Sequence, residues 1–481
     1  MTLSPAWLQA ILAARSIALI GASDDPTKIS GRAMSYLRRY GYGGTVYPVN
    51  SHRDGVQGVV AYKSVAEVPE PVDVAVLSLP QRDVVPALRQ CAEQGIVVAV
   101  VYASGFGESR RAGEPDLQAE ITAIAQESGM RILGPNCLGA IGFAHGVTAT
   151  FASALDDGDL PIGPIALVTQ SGAFASFVFS AGRDAGLGFH FVANTGNEAD
   201  LTVGEVLAEV IELPEVHLAL THIEGIRDMP SFERAARRAR ELDKPLVAVK
   251  VGRTQVGAEA ARAHTGSIVG DDAYYSEVFA RHGVVRAESM AELVDAGRVF
   301  ADGRRTAGNR AAIVSISGGT GVLMADACIA MGMDVPELDG VIRDGLGELL
   351  PAYASTRNPV DLTGSALDNL STFGGALDLC VDDEATDIVF VSIGNASSSE
   401  AAICDAILAV HARSDKPLIV TWAGGSGLPA KRLAADGVPV FDDPIRAIRA
   451  GSFLVGWSEA ARRPGAARLH GAENVKNGVP A

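Results

Sequence analysis

The chain has 481 residues, of which 48% are hydrophobic, 53 are glycine and only 6% are aromatic, a composition typical of globular α/β proteins. This length predicts about three domains of ordinary size. The formal net charge of −17 disfavours a nucleic-acid partner, because phosphate backbones are held by clustered lysine and arginine. The five cysteines form no C-x-x-C pair, so we predict no metal site and reduced thiols in a cytoplasmic protein. No apolar run reaches about 18 residues, so we expect no membrane span.

The first third of the chain alternates short apolar runs with helical patterns. The run at 16–20 ends at Gly21-Ala22-Ser23, and a helical pattern resumes at 31–39. Further strands are predicted at 45–48, 72–78, 97–102 and 131–133, and further helices at 84–93 and 115–128. This alternation predicts a doubly wound α/β domain with a parallel sheet, in which ligands bind at the carboxyl ends of the strands.

The glycine turn after the first strand indicates a phosphate site but not a dinucleotide site. The fingerprint G-x-G-x-x-G is absent, since Gly21 is followed by Ala22, Ser23 and an acidic pair. The second strand ends in Val49-Asn50, where a dinucleotide site carries the acid that binds a ribose diol. A different phosphorylated ligand fits better, and an NAD-dependent oxidoreductase is the least favoured alternative.

The rest of the chain contains one pattern twice. A strand at 165–169 leads into Gln170-Ser171-Gly172-Ala173, and a strand at 311–315 leads into a similar Ser-Gly turn at 316–321. The later strands at 218–223 and 245–249 correspond to 388–393 and 417–421. A repeat of this length predicts two flavodoxin-like domains, with joints near 142–163 and 300–309. The predicted divisions are a Rossmann-like domain at 1–142, flavodoxin-like domains at 143–303 and 304–460, and a polar tail at 461–481.

Only the first copy of the repeat carries a strand-end acid, Glu224, and a histidine in the segment Ala263-His264-Thr265-Gly266-Ser267. We expect His264 to lie in a loop after the neighbouring strand, at the same sheet edge as Glu224. A carboxylate that accepts a hydrogen bond from one ring nitrogen makes the other nitrogen the better nucleophile. The turn at Gln170 lacks the spacing of a hydrolase nucleophile elbow, so it is interpreted as a helix N-terminus that binds an anion. The alternatives are that His264 is an ordinary surface histidine and that Glu224 only forms a surface salt bridge.

These segments resemble those of the NDP-forming acyl-CoA synthetases, the superfamily of succinyl-CoA synthetase. The loops at 21–23, 48–50, 105–108 and 134–139 resemble those of its CoA-binding domain. The segment around His264 is similar to the phosphohistidine loop, and Ile223-Glu224-Gly225-Ile226 to the segment whose glutamate steadies the phosphohistidine. The last domain resembles the extra α-subunit domain of the ADP-forming acetyl-CoA synthetases, although Thr320 stands where a proline is usual.

The resemblance implies three groups of site residues. His264 and Glu224 are the expected catalytic residues. The expected CoA-binding residues are Gly21, Ala22, Ser23, Lys28, Asn50, Pro80, Ser104, Gly105, Asn136 and Cys137. The expected phosphate- or acyl-binding residues are Gln170, Ser171, Gly172, Asn197, Thr265, Gly266, Ser317, Gly318 and Gly319.

The implied reaction converts a carboxylic acid, CoA and NTP into acyl-CoA, NDP and phosphate through an acyl phosphate and a phosphohistidine. The sequence contains no ATP-grasp module and no Walker A loop. We therefore expect a CoA-ligase α subunit in an oligomer, whose ATP-grasp β subunit binds ATP or ADP with Mg²⁺. The alternative is a CoA- or acyl-CoA-binding protein without ligase turnover.

Overall fold

The computed structural model describes residues 4–108, 115–265, 271–367, 369–396 and 398–462, with the side chains of 262–265 and 367 excepted. The chain divides into two units, one from Met1 to Gly297 and one from Arg298 to Ala481. None of the helices in the described ranges has the length and hydropathy that a bilayer crossing requires.

The first unit begins with a five-stranded parallel sheet in the order β2-β1-β5-β6-β7. All residues of its inner strands are buried, as expected for a parallel sheet covered by helices on both faces. A two-stranded ribbon, β3-β4, lies outside this sheet. The elements are α1 (Ala6–Ala13), β1 (Ser16–Ile20), α2 (Ile29–Arg39), β2 (Thr45–Val49), β3 (Gly55–Val56), β4 (Val59–Val60), β5 (Val74–Leu77), α3 (Gln81–Glu93), β6 (Val98–Val101), α4 (Leu117–Ser128) and β7 (Arg131–Leu133).

The same unit contains a seven-stranded sheet in the order β14-β13-β12-β10-β11-β8-β9. Five of its strands are parallel, whereas β8 is antiparallel to both β11 and β9. The elements are β8 (Gly139–Gly142), β9 (Val147–Thr150), β10 (Ile162–Thr169), α5 (Gly172–Asp184), β11 (Phe189–Asn194), α6 (Val203–Val210), β12 (Leu218–Ile223), α7 (Met229–Glu241), β13 (Leu246–Lys250), α8 (Gln255–Thr265), α9 (Asp272–His282), β14 (Val285–Ala287) and α10 (Met290–Phe300).

Two local predictions are refined by the structure. The segment 142–163, predicted as a joint, also contains β9, which forms a hairpin with β8 at the sheet edge, and the domain boundary there stays a prediction. The segment before His264 is not a loop, because α8 extends through residue 265. The hairpin places the segment 134–138 near the site.

Because Gly139 pairs with Asn194, the chain enters β8 at the edge where β11 ends. Residues 134–138 therefore lie at the carboxyl ends of both the five-stranded and the seven-stranded sheet of this unit.

The second unit contains a five-stranded parallel sheet in the order β16-β15-β17-β18-β19. In each of the three sheets the five strands of the parallel part follow the flavodoxin-like order 2-1-3-4-5, with β8 and β9 added at one edge of the second sheet, which confirms the α/β class and the predicted internal repeat. The elements are β15 (Ala311–Ser315), α11 (Gly318–Ala330), α12 (Gly340–Leu349), β16 (Val360–Asp361), α13 (Leu370–Asp382), β17 (Ile388–Gly394), α14 (Glu400–Arg413), β18 (Leu418–Ala423), α15 (Leu428–Ala435), β19 (Val440–Phe441) and α16 (Pro444–Arg462).

Candidate active site

A cavity of about 240 Å³ lies in the first unit where β10, β11 and β12 end and β8 begins. Parallel strands place their carboxyl ends at one edge, so the segments that follow them converge there. The cavity is lined by seven of the predicted site residues, namely Asn136, Cys137, Gln170, Ser171, Gly172, Asn197 and Glu224. The structure thus brings together residues predicted for CoA, for phosphate or acyl binding, and for catalysis.

The Glu224 turn is held from two sides. The Gln170 Oε1 atom accepts hydrogen bonds from the backbone N–H groups of Glu224 at 2.6 Å and Gly225 at 3.1 Å. The Gln170 Nε2 atom donates to the Gly225 carbonyl at 2.6 Å. On the other side, the Ile226 N–H donates to the Tyr275 hydroxyl at 3.0 Å. With its side-chain amide bound to the turn, Gln170 positions Glu224, and its predicted contact with phosphate or substrate stays a prediction.

A lysine on the neighbouring strand adds positive charge near Glu224. Lys250 ends β13, and its Nζ atom lies 4.5 Å from the centre of the Tyr275 ring, a cation–π contact. Burial lowers the pKa of Lys250 to about 8, and Glu224 and Asp272 oppose that shift. Neither Lys250 nor Tyr275 was predicted from sequence. Lys250 could have been recognised in the sequence, because it is the one charged residue of an otherwise apolar strand and stands at its carboxyl end.

The N-terminus of α5 opens onto the cavity. Ser171 caps the helix, with its Oγ atom accepting a hydrogen bond from the Phe174 N–H at 3.4 Å. A Cβ atom at Gly172 would lie 2.5 Å from Leu138 Cγ and 3.1 Å from Asn194 Oδ1, so a larger residue would require these side chains to shift. The free N–H groups and the dipole of a helix N-terminus favour an anion. This edge of the cavity therefore suits phosphoryl or carboxylate oxygens.

Two asparagines at the end of β11, Asn194 and Asn197, bind the loop that leads from β7 to β8. The Asn194 side chain accepts from the Leu138 N–H at 2.8 Å and donates to the Gln170 carbonyl at 2.6 Å. Asn136 Nδ2 donates to Asn197 Oδ1 at 3.1 Å, and Asn197 also donates to Glu108. The predicted CoA loop and the predicted phosphate turn are therefore connected by hydrogen bonds. Asn194 was missed from sequence, because its position as the last residue of a buried strand does not indicate which groups it bonds.

Glu198, next to Asn197, is a buried carboxyl group. One of its oxygens accepts from the Thr195 hydroxyl at 2.9 Å and from the Val203 N–H at 2.8 Å. Its other oxygen has no hydrogen-bonding partner among the described residues. Burial raises the pKa of Glu198 from 4.5 to about 7, against the opposing effect of these hydrogen bonds. Near neutral pH this carboxyl group therefore holds its proton more tightly than an exposed one.

We predict that Glu198 makes the stability of the fold pH-dependent. The folded chain binds this proton more tightly than the unfolded chain, so the free energy of unfolding falls as the pH rises from about 4.5 to about 7. The loss is about 3 kcal/mol. Because buried histidines such as His222 titrate in the same range, the readout is the difference in the free energy of unfolding between the wild type and Glu198→Gln, which should fall by about this amount from pH 5 to pH 8 in urea unfolding. Glu215→Gln, at an exposed position, should behave as the wild type. Equal pH dependence in all three proteins would contradict the prediction.

The other predicted CoA residues lie at the carboxyl edge of the first sheet. Gly21 has φ +83°, and a Cβ atom there would lie 2.4 Å from the Ser78 carbonyl oxygen, so the turn after β1 requires glycine. Asn50 Nδ2 donates to the Ala22 carbonyl at 2.9 Å and fixes that turn. Exposed Lys28 and Pro80 directly precede α2 and α3. Ser23 is half-buried. Ser104, which is exposed, and Gly105, which has a left-handed backbone, follow β6. The roles of all these residues in ligand binding stay predictions.

Cys137 is not arranged as a nucleophile. Its thiol is buried, and its Sγ atom donates to the Val101 carbonyl at 3.3 Å. Burial raises the pKa of Cys137 to about 12, so the reactive thiolate is not populated near neutral pH. Its contribution to the cavity is shape.

Several predicted residues lie outside this cavity or outside the described part of the chain. The side chains of His264 and Thr265 and the whole of Gly266 are outside the described residues, and the backbone places His264 in the last turn of α8. Ser317, Gly318 and Gly319 belong to the second unit, where Ser317 caps α11. Their roles in catalysis or anion binding stay predictions.

Comparison with known proteins agrees with the three-part fold. Three family models match, a CoA binding domain at residues 15–142, a succinyl-CoA ligase like flavodoxin domain at 162–300 and a ligase-CoA domain at 311–427. The chain is 33% identical over 468 residues to the acetate–CoA ligase [ADP-forming] I subunit alpha of Pyrococcus furiosus, covering 94% of this chain and 98% of that one. It is 34% identical to the acetate–CoA ligase [ADP-forming] I of Archaeoglobus fulgidus, covering 93% of this chain and 63% of that longer protein.

Solved structures agree with this relationship. The dinucleotide forming acetyl-coenzyme A synthetase 1 of Ca. Korarchaeum cryptofilum, in complex with phosphate and ADP, has a TM-score of 0.87 and 29% identity to this chain, covering 98% of this chain and 99% of that one. The three matching domain models and the alpha-subunit relative aligned over 94% of this chain together show that the chain belongs to the ADP-forming acetate–CoA ligase family, corresponds to its alpha subunit and is a CoA ligase.

Proposed function

We propose that the chain is the CoA-ligase subunit of an enzyme that interconverts a carboxylic acid, CoA and NTP with acyl-CoA, NDP and phosphate. The observation that carries the proposal is the cavity itself. It places the CoA-type loop at Asn136, the N-terminus of α5 and the held Glu224 turn within one space. Relatives named acetate–CoA ligases make acetate the first acid to test. The five buried, free cysteines suit a reducing compartment such as the cytoplasm.

In this proposal His264 carries the phosphoryl group. Its imidazole takes the phosphoryl group of NTP, releasing NDP, and passes it to the acid's carboxylate to form an acyl phosphate. The CoA thiol then attacks the acyl carbon, phosphate leaves as the C–O bond breaks, and the thiol proton ends on the released phosphate. Glu224 accepts a hydrogen bond from the imidazole, and the N–H groups at the start of α5 neutralise phosphoryl oxygens. An ATP-grasp β chain binds ATP or ADP with Mg²⁺, and the two chains form an oligomer.

The test combines the purified chain with an ATP-grasp chain from the same genome, Mg-ATP, CoA and acetate. We expect acetyl-CoA, ADP and phosphate in equal amounts, and no product when either chain is omitted. Tight CoA binding without product or phosphorylation, over a series of small and branched acids, would favour a CoA-binding protein without turnover. Product formed by the chain alone would contradict the proposed need for a partner.

A further inference from the structure

Tyr102 follows β6 at the carboxyl edge of the first sheet and is 7% exposed. Its ring packs edge-on against Phe151, with ring centres 4.7 Å apart. The side chain lines the 240 Å³ cavity beside Asn136 and Ser171. It also lines a small pocket of about 10 Å³ beside Ala22 and Ser78, next to the glycine turn. Tyr102 therefore lies between the Gly21 turn and the cavity that contains Glu224.

The Tyr102 hydroxyl is buried and has no hydrogen-bonding partner among the described residues. A buried hydroxyl without a partner is costly, so such atoms in folded proteins call for an explanation. Thr148, Thr221 and Thr421 also carry buried hydroxyls with no partner in the described part of the chain, but none of them lines the cavity. Burial also raises the pKa of Tyr102 well above its ordinary value, so the hydroxyl keeps its proton and remains a hydrogen-bond donor.

The shape of CoA accounts for this position. Its pantetheine arm joins the diphosphate to the thiol and carries two secondary amides, each with a carbonyl acceptor and an N–H donor. A diphosphate at the Gly21 turn and a thiol in the cavity would place the arm alongside Tyr102. We propose that the Tyr102 hydroxyl hydrogen-bonds to an amide of the pantetheine arm and so positions the thiol in the cavity. This inference rests on the proposed use of CoA.

The test measures the affinity of the full chain for CoA and for 3′-phosphoadenosine 5′-diphosphate, which lacks the pantetheine arm. Tyr102→Phe keeps the ring against Phe151 and removes only the hydroxyl. We expect a three- to tenfold weaker affinity for CoA, of about the size that one hydrogen bond contributes, and an unchanged affinity for the nucleotide fragment. The matched control is Tyr42→Phe, whose hydroxyl donates to the Ala14 carbonyl at 3.0 Å outside the cavity, and both affinities should stay unchanged.

Unchanged CoA affinity in Tyr102→Phe would overturn the proposal, because the hydroxyl would then be a core or water-bonded group. Equal weakening toward CoA and the fragment would also overturn it, since the variant would have disturbed the sheet edge as a whole. The proposed ligase reaction is judged separately. A wild-type chain that binds CoA but makes no acyl-CoA would reject the reaction, while the same affinity comparison would still decide the Tyr102 contact.

Discussion

Replacing His264 with alanine is expected to abolish the phosphorylated form of the chain and acyl-CoA synthesis with it. The proposed transfer needs a nucleophilic nitrogen that forms and breaks a bond to phosphorus, and alanine supplies none. Removing a covalent nucleophile lowers turnover by at least about 10⁴-fold. The measurement is incubation with an ATP-grasp chain and γ-labelled ATP, followed by detection of a label on this chain that is lost in acid and kept in base.

The control for this experiment is His217→Ala, an exposed histidine just before β12. It should label and turn over like the wild type. CoA affinity should be unchanged in both variants, because His264 acts on phosphate rather than on CoA. If His264→Ala still carries an acid-labile label, the phosphoryl group resides on another residue and the proposed pathway is wrong.

The fold could be predicted because its parallel strands are buried on both faces. The β1 run Ser16-Ile17-Ala18-Leu19-Ile20 is buried at every position, and continuous apolar runs of this kind separated by helical patterns leave few alternatives to a doubly wound sheet. The repeat could also be predicted, because the strands of the two copies follow one another in the same order along the sequence. In the structure, the corresponding strands β12 and β17 occupy the same place in their sheets. The hairpin at 139–150 was not visible. Its strands are four residues long and lie at the sheet edge, where the pattern is short and weak.

The helix before His264 was predicted wrongly for an identifiable reason. Glycine and hydroxyl residues follow His264 and small residues precede it, and both features are typical of a loop. The segment Gln255-Val256-Gly257-Ala258-Glu259-Ala260-Ala261-Arg262-Ala263 is rich in alanine, the residue with the highest helix propensity. That propensity outweighs the single glycine, and α8 forms.

The site could be predicted only to the level of which strand ends meet. Gln170 and Glu224 follow the paired strands β10 and β12, so their proximity follows from topology. The hydrogen bonds between the Gln170 side-chain amide and the backbone of the Glu224 turn could not be predicted, because the direction of a side chain depends on local packing. The burial of Glu198 and of the Tyr102 hydroxyl depends likewise on contacts between segments distant in sequence.

Replacing Glu224 with glutamine is expected to slow phosphoryl transfer about 10²-fold without changing CoA affinity. Because the backbone of the turn is held by Gln170 and Tyr275, the isosteric side chain should keep its place and lose only its charge. A carboxylate is a stronger hydrogen-bond acceptor than an amide and stabilises the positive charge that the imidazole gains when phosphorylated. A loss of about 2–3 kcal/mol corresponds to the expected change in rate. Single-turnover labelling of the chain with γ-labelled ATP measures this rate directly.

Gln170→Ala separates the charge of Glu224 from the position of its turn. This variant leaves the carboxylate intact but removes the two contacts that Gln170 Oε1 accepts and the one that Nε2 donates. The hydrogen bond from the Ile226 N–H to the Tyr275 hydroxyl remains, so we expect an intermediate loss of about tenfold. If Gln170→Ala slows phosphoryl transfer and Glu224→Gln does not, the backbone position of the turn affects the rate and the carboxylate charge does not. Glu224 would then not be the carboxylate that orients the imidazole.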